Sequence, residues 1–477
     1  MSGETELSDD VRPDDMRSGA AADLEDLALD EDYALTAAFV EMVIDAADRG
    51  DGARLAELVR ALRPADVADL MGFLTGDYRE QIVPHIPTDA LAEILTELDT
   101  NIREEVLEVV APATLAKALE DLDSDDAADV VDDLDDATRE RVLAAMPAHD
   151  RTAIEASLAY EDESAGRLMQ REVALAPQFW TAGQATQYLR EAGETLPELF
   201  FDLYVVDPAM RPVGAVSVSR LVRTLPETLL SDIMEPVTDI PVDMDQEEVA
   251  YIFDKYHLIS APVVEAGGRL VGQITVDDVV GVIQEESEED MLALANVSDA
   301  GRDASMLGIV RSRLPWLAVN LISETVAVSA IAIFQDEIAK IVALAVLLPI
   351  ISSLGNNASV QTLAVAVRSL ASRELNAANT WRVIWREVIA GLVNGLALSV
   401  IIGAAVIAFY HDWKLALTAA LALMADIIIA AIIGILAPLA LEKLGRDPAV
   451  SSPIIVTFTT DFVGFFALLA IAALILV

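Results

Sequence analysis

The sequence predicts a multi-domain protein: an all-α N-terminal helical-repeat domain, an α+β tandem of two like units, a connecting helix and a transmembrane domain of five helices. Three observations predict it. Of 477 residues 54% are hydrophobic, yet 79 acidic residues face only 31 basic ones, for a net charge of -48. The charge is segregated, because residues 1–309 hold 69 of the acidic and 21 of the basic residues, whereas 310–477 hold ten of each. The hydrophobic spacing also changes along the chain, from helical to strand-like to continuously apolar.

Length allows roughly three domains at about 150 residues each. A surface this acidic repels phosphate, so no nucleic acid partner is expected and cations are the natural counterpart. The absence of cysteine excludes disulfides, thiolate metal sites and cysteine nucleophiles. No His pair, Ser-His-Asp arrangement or phosphate-cradling Gly-Lys loop points to an enzyme. The first 30 residues lack an apolar core segment, so no signal peptide is expected and the N-terminal part belongs in the cytosol.

Residues 1–33, acidic and poor in large apolar side chains, read as a disordered lead. Over 34–160, ADVADLMGFL (65–74), DALAEILTEL (89–98), ATLAKALEDL (113–122) and AADVVDDL (127–134) place apolar residues at i, i+3 and i+4. Most are 24 residues apart, a period that fits short stacked helices, each burying one stripe. On pattern alone such an array is equally an interaction scaffold with a solvated acidic face.

Over 161–283 the period shortens. LYVVDPAMRPVGAVSVSRLV (203–222) reads strand, turn, strand, helix start, and SAPVVEAGGRLVGQITVDDVV (260–280) repeats it with Gly214 and Gly272 in register 58 residues apart. Gly267 and Gly268 mark the second hairpin turn. This tandem resembles a pair of CBS domains, regulatory modules that often bind adenine nucleotides or metal ions. The resemblance makes Thr275 and Asp278 a ribose-holding pair for ATP or a related nucleotide, whereas Ser217 and Arg220 match that pattern poorly.

Residues 284–312 are expected as a charged connecting helix, and 313–477 as the membrane domain, with spans near 314–334, 338–371, 384–409, 415–441 and 449–477. Placing the N-terminus inside puts Arg311, Arg313, Arg368, Arg373, Arg382, Arg386, Lys443 and Arg446 on the cytosolic side, and only Lys340 and Lys414 outside. The positive-inside rule therefore selects a multi-pass plasma (inner) membrane protein with its C-terminus outside.

Within the spans the ionisable residues are Glu324, Asp426 and Asp461, with the amides Asn320, Asn356, Asn357, Gln361 and Asn394. A carboxylate in hydrocarbon must face a pore, a partner or water, and no basic residue lies mid-span to neutralise these. Bound cations or protonation are the remaining routes. LLPIISSLGNNASVQTLAV (347–365) is expected to interrupt the second span, since Pro349 removes a helix hydrogen bond and Gly355 with two asparagines loosens the next turn. A Pro kink packed against a neighbouring helix explains the same residues. In GRDPAVSSPIIVTFTTDFVGFF (445–466), Ser451, Ser452, Thr457, Thr459 and Thr460 form a hydroxyl-lined approach to Asp461. Hydroxyls and carboxylate are hard oxygen ligands suited to Mg2+ or Ca2+.

Taken together, the GNNASVQ and DPAV…TTDFVG segments, placed after a CBS-like pair and an acidic helical domain, make nearly the whole chain resemble the MgtE family of magnesium channels. YEDESAGRLM (160–169) is similar to that family's linker motif. The resemblance implies a homodimer in the lipid bilayer with a pore on the dimer axis, lined by the second and fifth membrane helices. It assigns pore roles to Asp461, Asn357 and, at the cytosolic mouth, Asp447. It further implies a plug helix and a cytosolic Mg2+ sensor whose matching residues are Asp125, Asp129, Asp245, Asp278, Glu286, Glu289 and Asp290, with Gly166 as a candidate carbonyl. Without Mg2+ these like charges repel across a Debye length of about 8 Å; with Mg2+ the faces are bridged and the pore closes.

The chain departs from the family pattern at Asn356 and Ser359, where glycines are usual, and at Pro453 and Phe458, which leaves selectivity and pore width open. His257 stands where an acidic ligand can occur, so one regulatory site is expected to be lost or made pH-dependent. The predicted function is a Mg2+ channel or transporter closed by cytosolic Mg2+ and catalysing no reaction. Its alternatives are a CBS-regulated transporter or exporter of Co2+ or Mn2+, and a membrane-anchored nucleotide sensor.

Overall fold

Each of the four repeated phrases forms a helix because its apolar positions make one buried stripe. In the computed structural model they are α1 (Pro64–Phe73), α2 (Thr88–Glu97), α3 (Pro112–Ala118) and α4 (Ser124–Asp132). The structure describes residue 24 and residues 27–192, 196–197, 199–295, 297, 306–373, 375 and 379–476. Of the acidic lead expected over 1–33, residues 1–23 and 25–26 lie outside them. Pro64 and Pro112 occupy the first helical positions, where a missing N–H costs nothing. Leu70, Met71, Ile94, Leu95, Leu115 and Val131 meet in one core. Each fully buried aliphatic side chain there contributes about 1.5–3 kcal/mol.

The chain folds as two units, 1–283 and 284–477. In the first, α5 (Ala165–Leu168) leads into a sheet of β1 (Leu175–Pro177), β2 (Asp202–Val206) and β3 (Pro212–Ser217), with α6 (Ala182–Ala192) after β1 and α7 (Val218–Arg223) after β3. The second sheet has β4 (Ile240–Pro241), β5 (Ser260–Val264) and β6 (Leu270–Thr275), with α8 (Gln246–Tyr256) after β4 and α9 (Val276–Leu294) after β6.

Both sheets pair parallel then antiparallel, and both ladders shift register at the matching step, Val205/Val206 and Val263/Val264. The in-register glycines do the same job. A Cβ on Gly214 would lie 2.8 Å from the Glu235 carbonyl, and one on Gly272 would lie 2.6 Å from the Gln170 carbonyl. Side-chain-free positions are therefore needed where another backbone crosses the strand. The buried Tyr204 hydroxyl donates to Ser260 Oγ at 2.8 Å, and Ser260 donates to Asp202 at 2.9 Å, which ties the two sheets together.

In the second unit five helices are long and apolar enough to span a bilayer: α10 (Met306–Ile333), α12 (Ala343–Ala371), α13 (Thr380–Tyr410), α14 (Trp413–Lys443) and α15 (Pro448–Ile475), with the short α11 (Gln335–Lys340) after α10. Residues 284–312, expected as one connecting helix, instead supply the end of α9 and the start of α10, while residues 298–305 lie outside the described residues. The central helix is α14, which packs against α12, α13 and α15, whereas α10 packs mainly on α15.

One expectation fails here. The segment around Pro349 does not interrupt its span, because α12 runs unbroken from 343 to 371. A proline inside a membrane helix forfeits one backbone hydrogen bond and its neighbours absorb the strain, so the packed-helix explanation of these residues holds.

Candidate functional site

Polar residues of three membrane helices converge on Asp461. Ser352 on α12 donates to the Asp461 carboxylate, and one turn away Thr457 Oγ1 donates to Asn356 Oδ1 at 3.2 Å. The paired numbers run in opposite directions, as antiparallel helices require. Asp461 is 9% exposed. Glu324 on α10 brings its carboxyl within hydrogen-bonding reach of Asp461, and with Asn320 and Thr457 it lines a surface groove of about 350 Å³.

Behind this seam stands Asp426, at the middle of α14 and 0% exposed. Neither of its carboxylate oxygens has a hydrogen-bond partner. Gly355 and Gly464 form the walls around it: a Cβ on Gly355 would overlap the carboxylate, and one on Gly464 would lie 3.3 Å from Oδ1. Gly355 thus serves close packing and not a loosened turn. Asp426 also lies within electrostatic range of Asp461.

The structure thereby gathers Asn320, Glu324, Asn356, Asp426 and Asp461, and leaves Asn357, Gln361 and Asn394 exposed on the outer surface of the chain. Of the two adjacent asparagines it is Asn356 that meets α15. Ser352 escaped the sequence reading, although its position one turn before Asn356 is the signal that could have found it. Two hydroxyls of the expected approach are spent on the helix itself, since Thr459 and Thr460 donate to the carbonyls of Ile455 and Val456, at 2.7 and 3.1 Å. Ser452 Oγ is buried without a partner.

At the other end of the second unit, the close of α9 packs Ala293 against Leu363, Val367, Ala437, Ala449 and Val456, at the ends of α12, α14 and α15. This brings Asp290 toward Asp447 and Glu286. Burial, then the charges of Asp447 and Glu286, raise the Asp290 carboxyl above the usual range. Asp447 is exposed and caps α15, accepting from the Ala449 N–H at 2.7 Å. Glu289 lies on α9 with Asp290, on an exposed face.

In the first unit the N-terminal end of α4 faces the start of α9. Asp125, 8% exposed, is raised well above the ordinary carboxylate pKa by burial and then by Asp278. Burial raises Asp278 to about 7, with Asp277 and Asp126 adding to it and a 2.8 Å hydrogen bond from Thr275 opposing it. Asp126 is pushed up to about 6, by burial and then by Asp129, Asp123 and Asp277. From sequence Asp277 is expected only to cap the helix after the second hairpin and Asp126 is not singled out, although each is adjacent to a residue that is.

The remaining expected sensor residues have structural partners. Asp129 pairs with Arg167 of the linker motif at 3.2 Å, and the same guanidinium reaches Asp132 at 3.2 Å. Asp245 caps α8 by accepting from the Glu247 N–H at 2.9 Å. Gly166 is buried, and a Cβ there would lie 2.6 Å from the Tyr160 ring. His257 ends α8 in the left-handed conformation, φ 53°, and is exposed. Among the described residues no group of three or more His, Asp or Glu side chains is arranged to hold a metal ion.

Comparison with known proteins gives a consistent result. Residues 348–471 match the MgtE family, described as a divalent cation transporter, residues 62–163 the MgtE intracellular N domain, and residues 230–285 a CBS domain. The chain is 32% identical to the magnesium transporter MgtE of Thermus thermophilus over 444 residues, 91% of this chain and 97% of that protein. It is also 32% identical to the magnesium transporter MgtE of Bacillus subtilis, over 69% of this chain and 73% of that protein. Among solved structures it is similar to the cytosolic domain of the Mg2+ channel MgtE in complex with ATP, with 33% identity and a TM-score of 0.48, covering 51% of this chain and 99% of that one.

Proposed function

The chain belongs to the MgtE family of divalent cation transporters and is not an enzyme, and from that premise we propose that it passes Mg2+ across the plasma (inner) membrane along the seam of α12 and α15, closing when cytosolic Mg2+ is high. The observation that carries this reading is the Asp461 cluster. Carboxylates of α10, α14 and α15 gather in apolar helices with hydroxyls and amides and with no basic side chain among them. Such a set is costly when empty and favourable around a hard cation.

Two chains would form the pore, with Asp461 contributed once by each. The exposed Asn357 supports this arrangement, since an amide facing hydrocarbon is unfavourable and a second chain or a water path would cover it. The distribution of basic residues supports a cytosolic N-terminus and an outside C-terminus.

For gating, the relevant contrast is between protonation and metal. Asp125 and Asp126 of α4 oppose Asp277 and Asp278 of α9, and burial and the neighbouring charges disfavour the ionised state of Asp125, Asp126 and Asp278. A hydrated Mg2+ bridging one carboxylate from each side would relieve that repulsion; two carboxylates are too few for an inner-sphere cage, so the ion would keep most of its waters. Asp290 and Asp447 offer a second such pair beside the ends of the membrane helices. Asp129, Asp245, Glu286, Glu289 and the Gly166 carbonyl remain outer candidates. The Thr275–Asp278 pair is the candidate ribose contact for ATP.

Growth rescue of a magnesium-auxotrophic strain tests the pore. The wild-type chain should rescue and Asp461→Ala should not; undiminished rescue by the variant would sink the assignment. For gating, limited proteolysis across millimolar Mg2+ should show protection of the segment joining α4 to α9, and identical cleavage with and without Mg2+ would contradict bridging.

A further inference from the structure

Of the carboxylates gathered around the cation path, Asp426 is the one that stands behind the seam of α12 and α15. It belongs to the central helix, is wholly removed from solvent, and leaves both carboxylate oxygens without a hydrogen-bond partner. An apolar side chain would pack better between two glycines in so hydrophobic a helix, so a packing role does not account for a carboxylate. A buried carboxylate with idle oxygens invites a ligand, and the carboxyl group within electrostatic range of it is Asp461, which accepts from the Ser352 hydroxyl.

We propose that Asp426 and Asp461, with Ser352, form an intramembrane site within one chain for a hard divalent cation that has lost part of its water shell. Two carboxylates and a hydroxyl are hard oxygen donors, and their double negative charge is balanced by one divalent ion but not by a monovalent one. Partial dehydration follows from burial, because no solvent reaches Asp426 and the glycine walls hold its oxygens in place. The site lies behind α12 and α15, so an ion on Asp461 can be shared between the pore and this second carboxylate. The inference rests on the reading that Asp461 lines the cation path.

The test uses the full chain in proteoliposomes with Mg2+ as the only divalent ion. Asp426→Asn keeps shape and removes charge; it should raise the half-saturating Mg2+ concentration for uptake about tenfold or more. A second readout is thermal unfolding followed by tryptophan fluorescence, since four of the five tryptophans (Trp316, Trp381, Trp385 and Trp413) lie in the membrane helices. Mg2+ should raise the unfolding midpoint of the wild-type chain, and Asp426→Asn should lose at least half of that rise while melting higher than wild type in EDTA. If Asp426→Asn fails to fold, Gly464→Ala, which presses on the carboxylate without altering charge, should weaken Mg2+ half-saturation in the same direction. A wild-type half-saturation and an unchanged Mg2+-dependent midpoint in either folded variant would overturn the proposal. Failure of the wild-type chain to take up Mg2+, or normal uptake by Asp461→Asn, would instead overturn the pathway on which it rests.

Discussion

The acidic residues of α4 and α9 and those of the membrane helices are both crowded carboxylates, yet their surroundings differ in kind. Beside the first group stand basic side chains: Arg167 pairs with Asp129 and Asp132, and Arg103 with Asp133 at 3.2 Å. Repulsion there is partly compensated and water is near. Among the described residues no basic side chain acts on Glu324 or Asp426, and Asp426 is shut in by glycines and packed helices. Crowding at a solvated edge is the setting of the proposed ion sensor, whereas crowding in a dry interior is the setting of the proposed cation site.

That contrast can be broken most forcefully in the membrane unit. Gly355→Ala forces a methyl into the Asp426 carboxylate, and overpacking of this kind should cost about 1–3 kcal/mol. The unfolding midpoint of the full chain followed by tryptophan fluorescence would report it; a midpoint equal to wild type would mean that the Asp426 notch is not closed.

A smaller effect is expected at Arg167, whose side chain is 10% exposed while its partners are largely solvated. Arg167→Ala should destabilise the docking of α4 by about 1–2 kcal/mol after screening is allowed for. Faster proteolysis after α4 would register it, and unchanged rates would show that the pairs add nothing.

The pH dependence sharpens the comparison further. Asp126 and Asp278 titrate near 6 and 7 in the folded chain, against about 3.9 unfolded. Each folded value is raised, so their stabilising contribution is complete below about pH 4 and is lost as pH rises through the folded values. In EDTA, protease resistance of the first unit should therefore increase from pH 7.5 to pH 5.5, and Mg2+ at pH 7.5 should restore it. A fall in resistance on acidification would refute the sign. The smallest effect concerns Asp245, whose replacement by Ala removes an N-cap and should cost about 1 kcal/mol, measurable as increased exchange of the first α8 amides.

Much of this organisation was legible in the chain. The apolar spacing from 65 to 134 marks α1 to α4, and the 58-residue offset of Gly214 and Gly272 marks a duplicated sheet down to its register shift. The order of helical domain, paired sheets and five apolar spans carried the resemblance to the family. Side-chain facing was less legible. Neighbouring residues on a helix point about 100° apart, so a motif containing both Asn356 and Asn357 does not reveal which one meets α15. Pro349 was similarly ambiguous, because whether a proline breaks a helix depends on the helices packed beside it.

What the sequence determined by itself is the partition of charge and hydrophobicity, and with it the places where helices, strands and membrane spans form. Those are properties of local spacing and of transfer between water and hydrocarbon. Only the tertiary structure decided that Ser352 reaches Asp461, that Asp126 joins the acids opposing α9, and that Asp426 is closed between Gly355 and Gly464. Each depends on contacts between residues far apart in the chain, and the distance and burial that set their electrostatics exist only once the helices have packed.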